Sequence, residues 1–441
     1  MIQITAIGGY NEVGKNMTAV KIDDEIIVLD MGLHLESYIK FSDEGGEDLI
    51  KVSRKQLRTI GAIPDDTVLK DKNKVKAIIP THAHLDHVGA LIFMAKKYKA
   101  PIICTPFTHE VVRQISDDEK IKINNQFKIL NVNSKIKLSN NITIEFINMT
   151  HSTPQTVMVA IHTKYGIIIY ANDFKFDNNP IIGKKPNYKR LEELGEIGVK
   201  ALICDSTRAR RMGKTPSELI AREMLRDVML GVNSEGKSVI VTTFSSHIAR
   251  LKSIVEFGKK MKREVIFLGR SLAKYSEAAE NVGIINFSKE VEIVKYGNKI
   301  RKKLKQISKQ PDKYLLVVTG HQGEPKAALS KMAKNQMDFK FKPEDHVIFS
   351  CTVIPSKTNL DNRKLLEKEL ENKGIRIFKD IHASGHASRE DLRDLLNLVK
   401  PEHIIPAHGD DSMKEALISL AKEKGNRKIH KLHNGDTITI E

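Results

Sequence analysis

Three histidines and an aspartate fall within six residues in the segment Thr81-His82-Ala83-His84-Leu85-Asp86-His87. Imidazole nitrogen and carboxylate oxygen are good zinc ligands, and so dense a cluster has no ordinary packing use. The chemistry it points to is the binding of metal ions, which does not by itself choose a substrate. One segment supplies too few ligands for a dinuclear site, so further donors are expected downstream. His151 lies in Thr150-His151-Ser152-Thr153-Pro154, Asp173 in Ala171-Asn172-Asp173-Phe174-Lys175-Phe176-Asp177, and His408 in Ala407-His408-Gly409. Alone, each reads as an ordinary loop residue. Beside the first motif, their order and their placement after strands make them candidates.

The elements that must position these residues alternate between strand and helix. Val75–Ile79 reads as a buried strand stopped by Pro80, and Val88–Tyr98 as a helix, which puts the histidine motif in a strand-to-helix loop. Ile142–Met149 precedes His151, Ile167–Ala171 precedes Asp173, and His403–Pro406 precedes His408. Further strand-like runs are Ala201–Cys204, Ser238–Thr242, Leu315–Val318, His346–Phe349 and Ile375–Phe378. Helical spacing marks Ser217–Leu230, Ser246–Phe257, Leu360–Asn372 and Arg389–Leu398, and Val157–Ala171 reads as a hairpin turning at Lys164-Tyr165-Gly166. This is an α/β pattern, a class that places its chemistry at strand carboxyl ends. Glu36–Lys72 and Lys289–Asp312 have no clean periodicity and read as solvated insertions, the second as a lysine-rich helix or loop.

The 441 residues are 40% hydrophobic and 29% charged, a globular composition with room for two domains. No apolar run approaches the roughly 20 residues that span a bilayer, and the N-terminus lacks the basic and apolar regions of a signal peptide. A cytoplasmic protein without membrane contact is expected. Three scattered cysteines, Cys104, Cys204 and Cys351, give neither a disulfide framework nor a thiolate zinc site, and read as buried thiols. The net charge of +17 suits a polyanionic partner, whereas 5% aromatic residues and no tryptophan argue against a broad stacking platform for bases.

These motifs resemble the metallo-β-lactamase fold. The resemblance implies one metal held by His82, His84 and His151, a second held by Asp86, His87 and His408, and Asp173 bridging both. Asp30, in Ile26-Ile27-Val28-Leu29-Asp30-Met31-Gly32, matches the aspartate that orients the loop in that fold. More than two hundred residues separate Asp173 from His408, with their own strand and helix alternation, as in the β-CASP nucleases. Asp205, in Cys204-Asp205-Ser206-Thr207, matches that family's acidic motif, and His386, in His382-Ala383-Ser384-Gly385-His386-Ala387-Ser388, matches its histidine motif. The expected architecture is an αββα sandwich at 1–205 and 379–441, with an α/β β-CASP domain inserted at 206–378.

Gly8–Met17, Thr243-Phe244-Ser245-Ser246, Gly269-Arg270-Ser271-Leu272 and Thr319–Pro325 are similar to segments of the ribonuclease J branch. The chain ends soon after His408, like the shorter archaeal form; a homodimer is compatible with the family, though not by the bacterial route. Asn172 departs from the usual glycine, and Glu36–Lys72 follows no family pattern. The resemblance implies a 5′→3′ exoribonuclease that uses two Zn²⁺ (the ligands also suit Mn²⁺) to release 5′-mononucleotides from single-stranded RNA in decay and maturation. Asp86 would serve the reaction as a metal ligand, and His386 would stabilise charge at phosphorus or protonate the leaving oxygen. The loop of His382, Ala383, Ser384, Gly385, His386 and Ser388 would hold a 5′-monophosphate, with Asp205 in an orienting role. The rival readings are a β-CASP endonuclease and, further off, a small-molecule metallo-hydrolase.

Overall fold

A computed structural model of the chain describes residues 1–45 and 53–441. It divides into two compact units. The first comprises Met1–Asn178, Gly183–Thr215 and Ser384–Glu441, and the second Asn179–Ile182 and Pro216–Ala383.

Two seven-stranded sheets build the first unit among the described residues. One runs in the order Thr437–Ile440, Ile2–Gly8, Met17–Ile22, Glu25–Leu29, Val75–Ile79, Ile102–Cys104, Phe127–Ile129. The other runs Lys428–Ile429, His403–Ala407, Val199–Asp205, Gly166–Ala171, Val157–Thr163, Thr143–Asn148, Lys135–Lys137. Their facing sides share one core, in which Ile4, Val20, Ile27 and Ala77 meet Phe146, Val159, Ile168 and Ile203. Alternation drives this packing, because every second side chain of a strand points to the same face. The opposite face of the second sheet is buried beneath the helices Tyr188–Ile197, Arg389–Val399 and Asp411–Glu423, through Leu191, Leu395 and Leu417 among others. This is the layered sandwich that the motifs implied.

The second unit is a six-stranded parallel sheet, ordered Glu292–Val294, Glu264–Leu268, Tyr314–Val318, Val239–Thr242, His346–Phe349, Arg376–Phe378. Its central strands read as continuous apolar runs because helices cover a parallel sheet. Arg250, with no exposed surface, ties its interior together. The guanidinium donates to Glu218 Oε1 and Oε2 at 2.6 and 2.8 Å, to Ser350 O at 2.8 Å and to Ile381 O at 3.0 Å.

The hairpin forms where expected, with strands Val157–Thr163 and Gly166–Ala171 paired antiparallel. One local expectation fails, and another is met only in part. The helix read as Val88–Tyr98 is instead Leu85–Val88, then Leu91–Met94, then a 3₁₀ turn Ala95–Lys97. Asp86 and His87 therefore sit in a first helical turn rather than in a loop. The break falls where Ala90 N–H turns aside to donate to Met31 O at 2.9 Å; at Gly89, just before it, an added Cβ would lie 2.6 Å from both Leu33 Cδ1 and Leu85 O. Lys289–Asp312 contains an edge strand, Glu292–Val294, before its helix Gly297–Ile307. Within Glu36–Lys72 the helices Leu35–Gly45 and Arg54–Thr59 form, while residues 46–52 lie outside the described residues. All three cysteines are buried thiols, as composition suggested. No helix among the described residues is long and apolar enough to cross a membrane.

Candidate active site

Three candidate residues lie within two positions of a strand's end and share left-handed backbone: Asp30 at φ 57°, Asp173 at φ 52° and His408 at φ 52°. Non-glycine residues adopt this region at a cost of order 1–3 kcal/mol, so the surroundings must hold them there. Parallel pairing matches Ala171 with Cys204 and Asp205 with Ala407. Asp173, Asp205 and His408 thus emerge side by side at the carboxyl edge of one sheet.

Two donor groups meet at Asp173. One comprises His82, His84, His151 and Asp173; the other comprises Asp86, His87, Asp173 and His408. Within each group the ligand atoms all lie within 4.8 Å of one another. Outer partners aim the rings. The Thr81 hydroxyl donates to Asp30 Oδ1 at 3.0 Å, leaving its oxygen to accept from His82 Nδ1 at 3.0 Å. His151 Nδ1 donates to the Gly385 carbonyl at 2.7 Å, and His87 Nδ1 to Asp30 Oδ2 at 2.8 Å. A carbonyl or carboxylate only accepts, so each of these rings carries its hydrogen on Nδ1. Nε2 of His82 and Nε2 of His151 then lie 3.2 and 3.1 Å from His84 Nδ1, gathering three ring nitrogens together.

Charge divides the two groups. Burial and neighbouring imidazoles push His82, His84 and His151 down, His84 to about 3, so these rings are neutral at pH 7. Burial also opposes charge on His87, but the carboxylates of Asp173, Asp30 and Asp86 outweigh it and raise that ring. Asp173, despite its burial, is held far below the carboxylate range by His408, His87 and His386. The donor set fits a divalent cation pair on its own chemistry. His408 Nε2 and Asp173 Oδ1 are buried 3.3 Å apart, and neither has a hydrogen-bond partner. An unpartnered buried polar atom costs about 1–3 kcal/mol, and a metal ion is the partner that nitrogen and carboxylate donors suit.

His386 sits beside both groups. Its Nδ1 is 2.9 Å from Asp205 Oδ2 and its Nε2 3.9 Å from Asp173 Oδ2. Burial alone would strip its proton, but Asp173 and Asp205 push it up to about 9. Gly385 has a steric reason to be glycine, since a Cβ there would come within 2.6 Å of the His151 ring. The Ser384 hydroxyl accepts from His386 N–H at 3.1 Å. Ser388, placed in the same loop by sequence, does not join this group. It is 1% exposed, its N–H donates to Asp391 Oδ2 at 3.1 Å, and it caps the helix Arg389–Val399. His382 and Ala383 belong to the second unit. Among the residues in contact with the donor groups that motif spacing does not single out are Ser152, whose hydroxyl is 3.4 Å from Nε2 of both His84 and His151, Thr81 and Asn16. Thr81 adjoins His82, and that adjacency could have flagged it. Asn16 faces His408 Nδ1 at 2.7 Å but sits in a glycine-rich segment where asparagine usually means only a turn.

Three family models match the chain: "Beta-lactamase superfamily domain" at 53–183, "Ribonuclease J, beta-CASP domain" at 236–366, and "Zn-dependent metallo-hydrolase RNA specificity domain" at 375–431. Ribonuclease J of Methanocaldococcus jannaschii is 45% identical over 446 residues, covering 100% of this chain and 99% of that one. Ribonuclease J of Pyrococcus abyssi is 44% identical over 100% of this chain and 97% of its own. Ribonuclease J 2 of Staphylococcus saprophyticus is 30% identical and is covered to 75% of its length. A crystal structure of a protein of unknown function from Enterococcus faecalis V583 shares the fold, with a TM-score of 0.62 at 17% identity over 99% of each chain.

Proposed function

The chain belongs to the ribonuclease J family of metal-dependent β-CASP nucleases, and from that premise we propose that it is a zinc-dependent 5′→3′ exoribonuclease releasing 5′-mononucleotides. We read the second compact unit as the inserted β-CASP domain and the first as the hydrolase domain. In this reading His82, His84 and His151 hold one ion, Asp86, His87 and His408 the other, and Asp173 is shared. Bound there, the ions lower the pKa of water towards neutrality and offset the charge of a phosphodiester.

The chain's own residues supply the remainder. His386, whose ring Asp173 and Asp205 raise, sets Nε2 beside the donor groups, 3.9 Å from Asp173 Oδ2. It can donate to a phosphate oxygen as charge develops, or protonate the leaving 3′-oxygen. The observation that carries the exonuclease reading is the hydrogen bond between His151 Nδ1 and Gly385 O at 2.7 Å. It anchors the loop Ser384-Gly385-His386 to the His151 ring, which in this reading would hold one ion. A loop so anchored, flanked by His382 and Ala383 and fixed at its far end by Ser388, suits a terminal phosphate. A 5′-monophosphate seated there would bring the first internucleotide bond towards His386 and the donor groups. The net charge of +17 favours a single-stranded RNA partner.

The test is a 3′-labelled RNA prepared with a 5′-monophosphate, a 5′-triphosphate or a 5′-hydroxyl. Stepwise shortening, fastest for the monophosphate, is expected. Equal rates with internal fragments appearing first would establish an endonuclease instead.

A further inference from the structure

Between the strands Ile2–Gly8 and Met17–Ile22, one buried polar side chain faces the second donor group. Asn16 is 1% exposed. Its N–H donates to Asp86 O at 3.0 Å and its carbonyl accepts from Gly32 N–H at 3.0 Å, so its backbone is tied to the histidine motif and to the turn after Asp30. The side-chain amide meets the same group. Nδ2 is 3.1 Å from Asp86 O and 3.1 Å from His87 Nε2, while Oδ1 is 2.7 Å from His408 Nδ1. Asn172 Nδ2 adds a longer approach to Oδ1 at 3.4 Å.

These partners fix which way the amide faces. A backbone carbonyl only accepts, so the atom beside Asp86 O is the NH₂ and the atom beside His408 is the oxygen. An amide oxygen also only accepts, so His408 carries its hydrogen on Nδ1. Its Nε2 is thereby directed into the donor group, 3.3 Å from Asp173 Oδ1 and 3.7 Å from Asp86 Oδ2. The fold reserves space for this amide: a Cβ on Gly9, whose φ is +83°, would come within 2.4 Å of Asn16 Oδ1. Thr81, Gly385 and Asp30 orient His82, His151 and His87, and Asn16 takes the same position behind His408.

We propose that Asn16 is a positioning residue for the second ion: it sets the tautomer and ring angle of His408 and couples that ring to the Asp86 backbone. This rests on His408 being a ligand, as proposed above. Partners of this kind typically change metal affinity about 10–100-fold when removed.

The test compares Asn16→Ala, Asn16→Asp and His408→Ala by zinc content under graded chelator competition and by the visible spectrum of the cobalt(II) forms. Asn16→Ala should bind one ion with unaltered affinity and the other about 10–100-fold more weakly, with a changed cobalt band. Asn16→Asp, which keeps an acceptor towards Nδ1, should recover most of that loss, as a packing role would not require. If His408→Ala loses the weaker ion while Asn16→Ala keeps both at full affinity, the inference about Asn16 is overturned and the ligand reading stands. If His408→Ala itself retains both ions, the ligand reading fails. Should Asn16→Ala not fold, the imidazole ¹⁵N shifts of His408 in the unaltered, metal-free protein at mildly alkaline pH decide. Hydrogen on Nδ1 supports the proposal, and hydrogen on Nε2 overturns it.

Discussion

His386 Nδ1 lies 2.9 Å from Asp205 Oδ2, and the two residues are 181 positions apart in sequence. The carboxylate is 1% exposed at the end of the strand Val199–Asp205, and the ring stands between it and Asp173. Asp205 therefore fixes the orientation of this ring, and Asp173 and Asp205 together set its charge, although the ring contributes to neither four-residue donor group around Asp173.

That relationship separates chemistry from binding. His386→Ala should keep both ions and bind RNA, yet lose turnover about 10²–10⁴-fold, the usual contribution of a positioned acid. Asp205→Asn keeps the shape but removes the charge, and should give a smaller loss of kcat with little change in KM. Metal content, RNA affinity and single-turnover rates check this, and loss of metal from His386→Ala would make it a ligand instead.

His84→Ala should abolish hydrolysis and reduce metal content from about two zinc ions per chain, because Nδ1 of His84 is the atom common to its contacts with His82 and His151. Its fold should survive, since the shared core of the two sheets does not include this ring. Elemental analysis with circular dichroism tests both halves, and full turnover in metal-stripped protein would contradict them.

Removing the Arg250 side chain leaves Glu218 buried without the guanidinium that, with His247, holds it ionised against its burial. Breaking a buried pair on one side costs about 3–5 kcal/mol. Arg250→Ala should therefore lower the unfolding temperature, and limited proteolysis should cut first within Pro216–Ala383, the unit that contains it.

Glu145 gives a pH dependence away from the metal groups. Burial raises its carboxyl, but hydrogen bonds from His162 and Arg190, with the charges of Arg190 and Lys135, hold it at about 2. A depressed carboxyl stabilises the fold above its unfolded range and loses that contribution as pH falls from about 4.5 towards 2. Arg190→Ala should lose most of it already at pH 7 and show a flatter acid limb in urea midpoints. Parallel curves for both proteins would rule the pair out as a source of acid stability.

Much of this was legible locally. Strand Val75–Ile79, the hairpin Val157–Ala171 and the placement of His151, Asp173 and His408 after strands follow from apolar runs and turn residues, which act over a few positions. The interruption of the helix after the histidine motif is not legible locally, because there Ala90 N–H donates to Met31 O, more than fifty residues earlier. Ser388 was assigned to the phosphate loop because its neighbours are small and polar, yet Asp391 and Thr215 engage it as a helix cap.

The sequence by itself determined which side chains could bind metal and that each stands at an element's end, because residue type and hydrophobic period are written in short stretches of chain. Only the tertiary structure decided how they face one another. Parallel pairing of Gly166–Ala171, Val199–Asp205 and His403–Ala407 brings Asp173, Asp205 and His408 to one edge across more than two hundred residues. The tautomers of His82, His87, His151 and His408 depend on Thr81, Asp30, Gly385 and Asn16. A histidine's type says that it can ligate; which of its nitrogens does so is set by whatever the fold packs behind the ring.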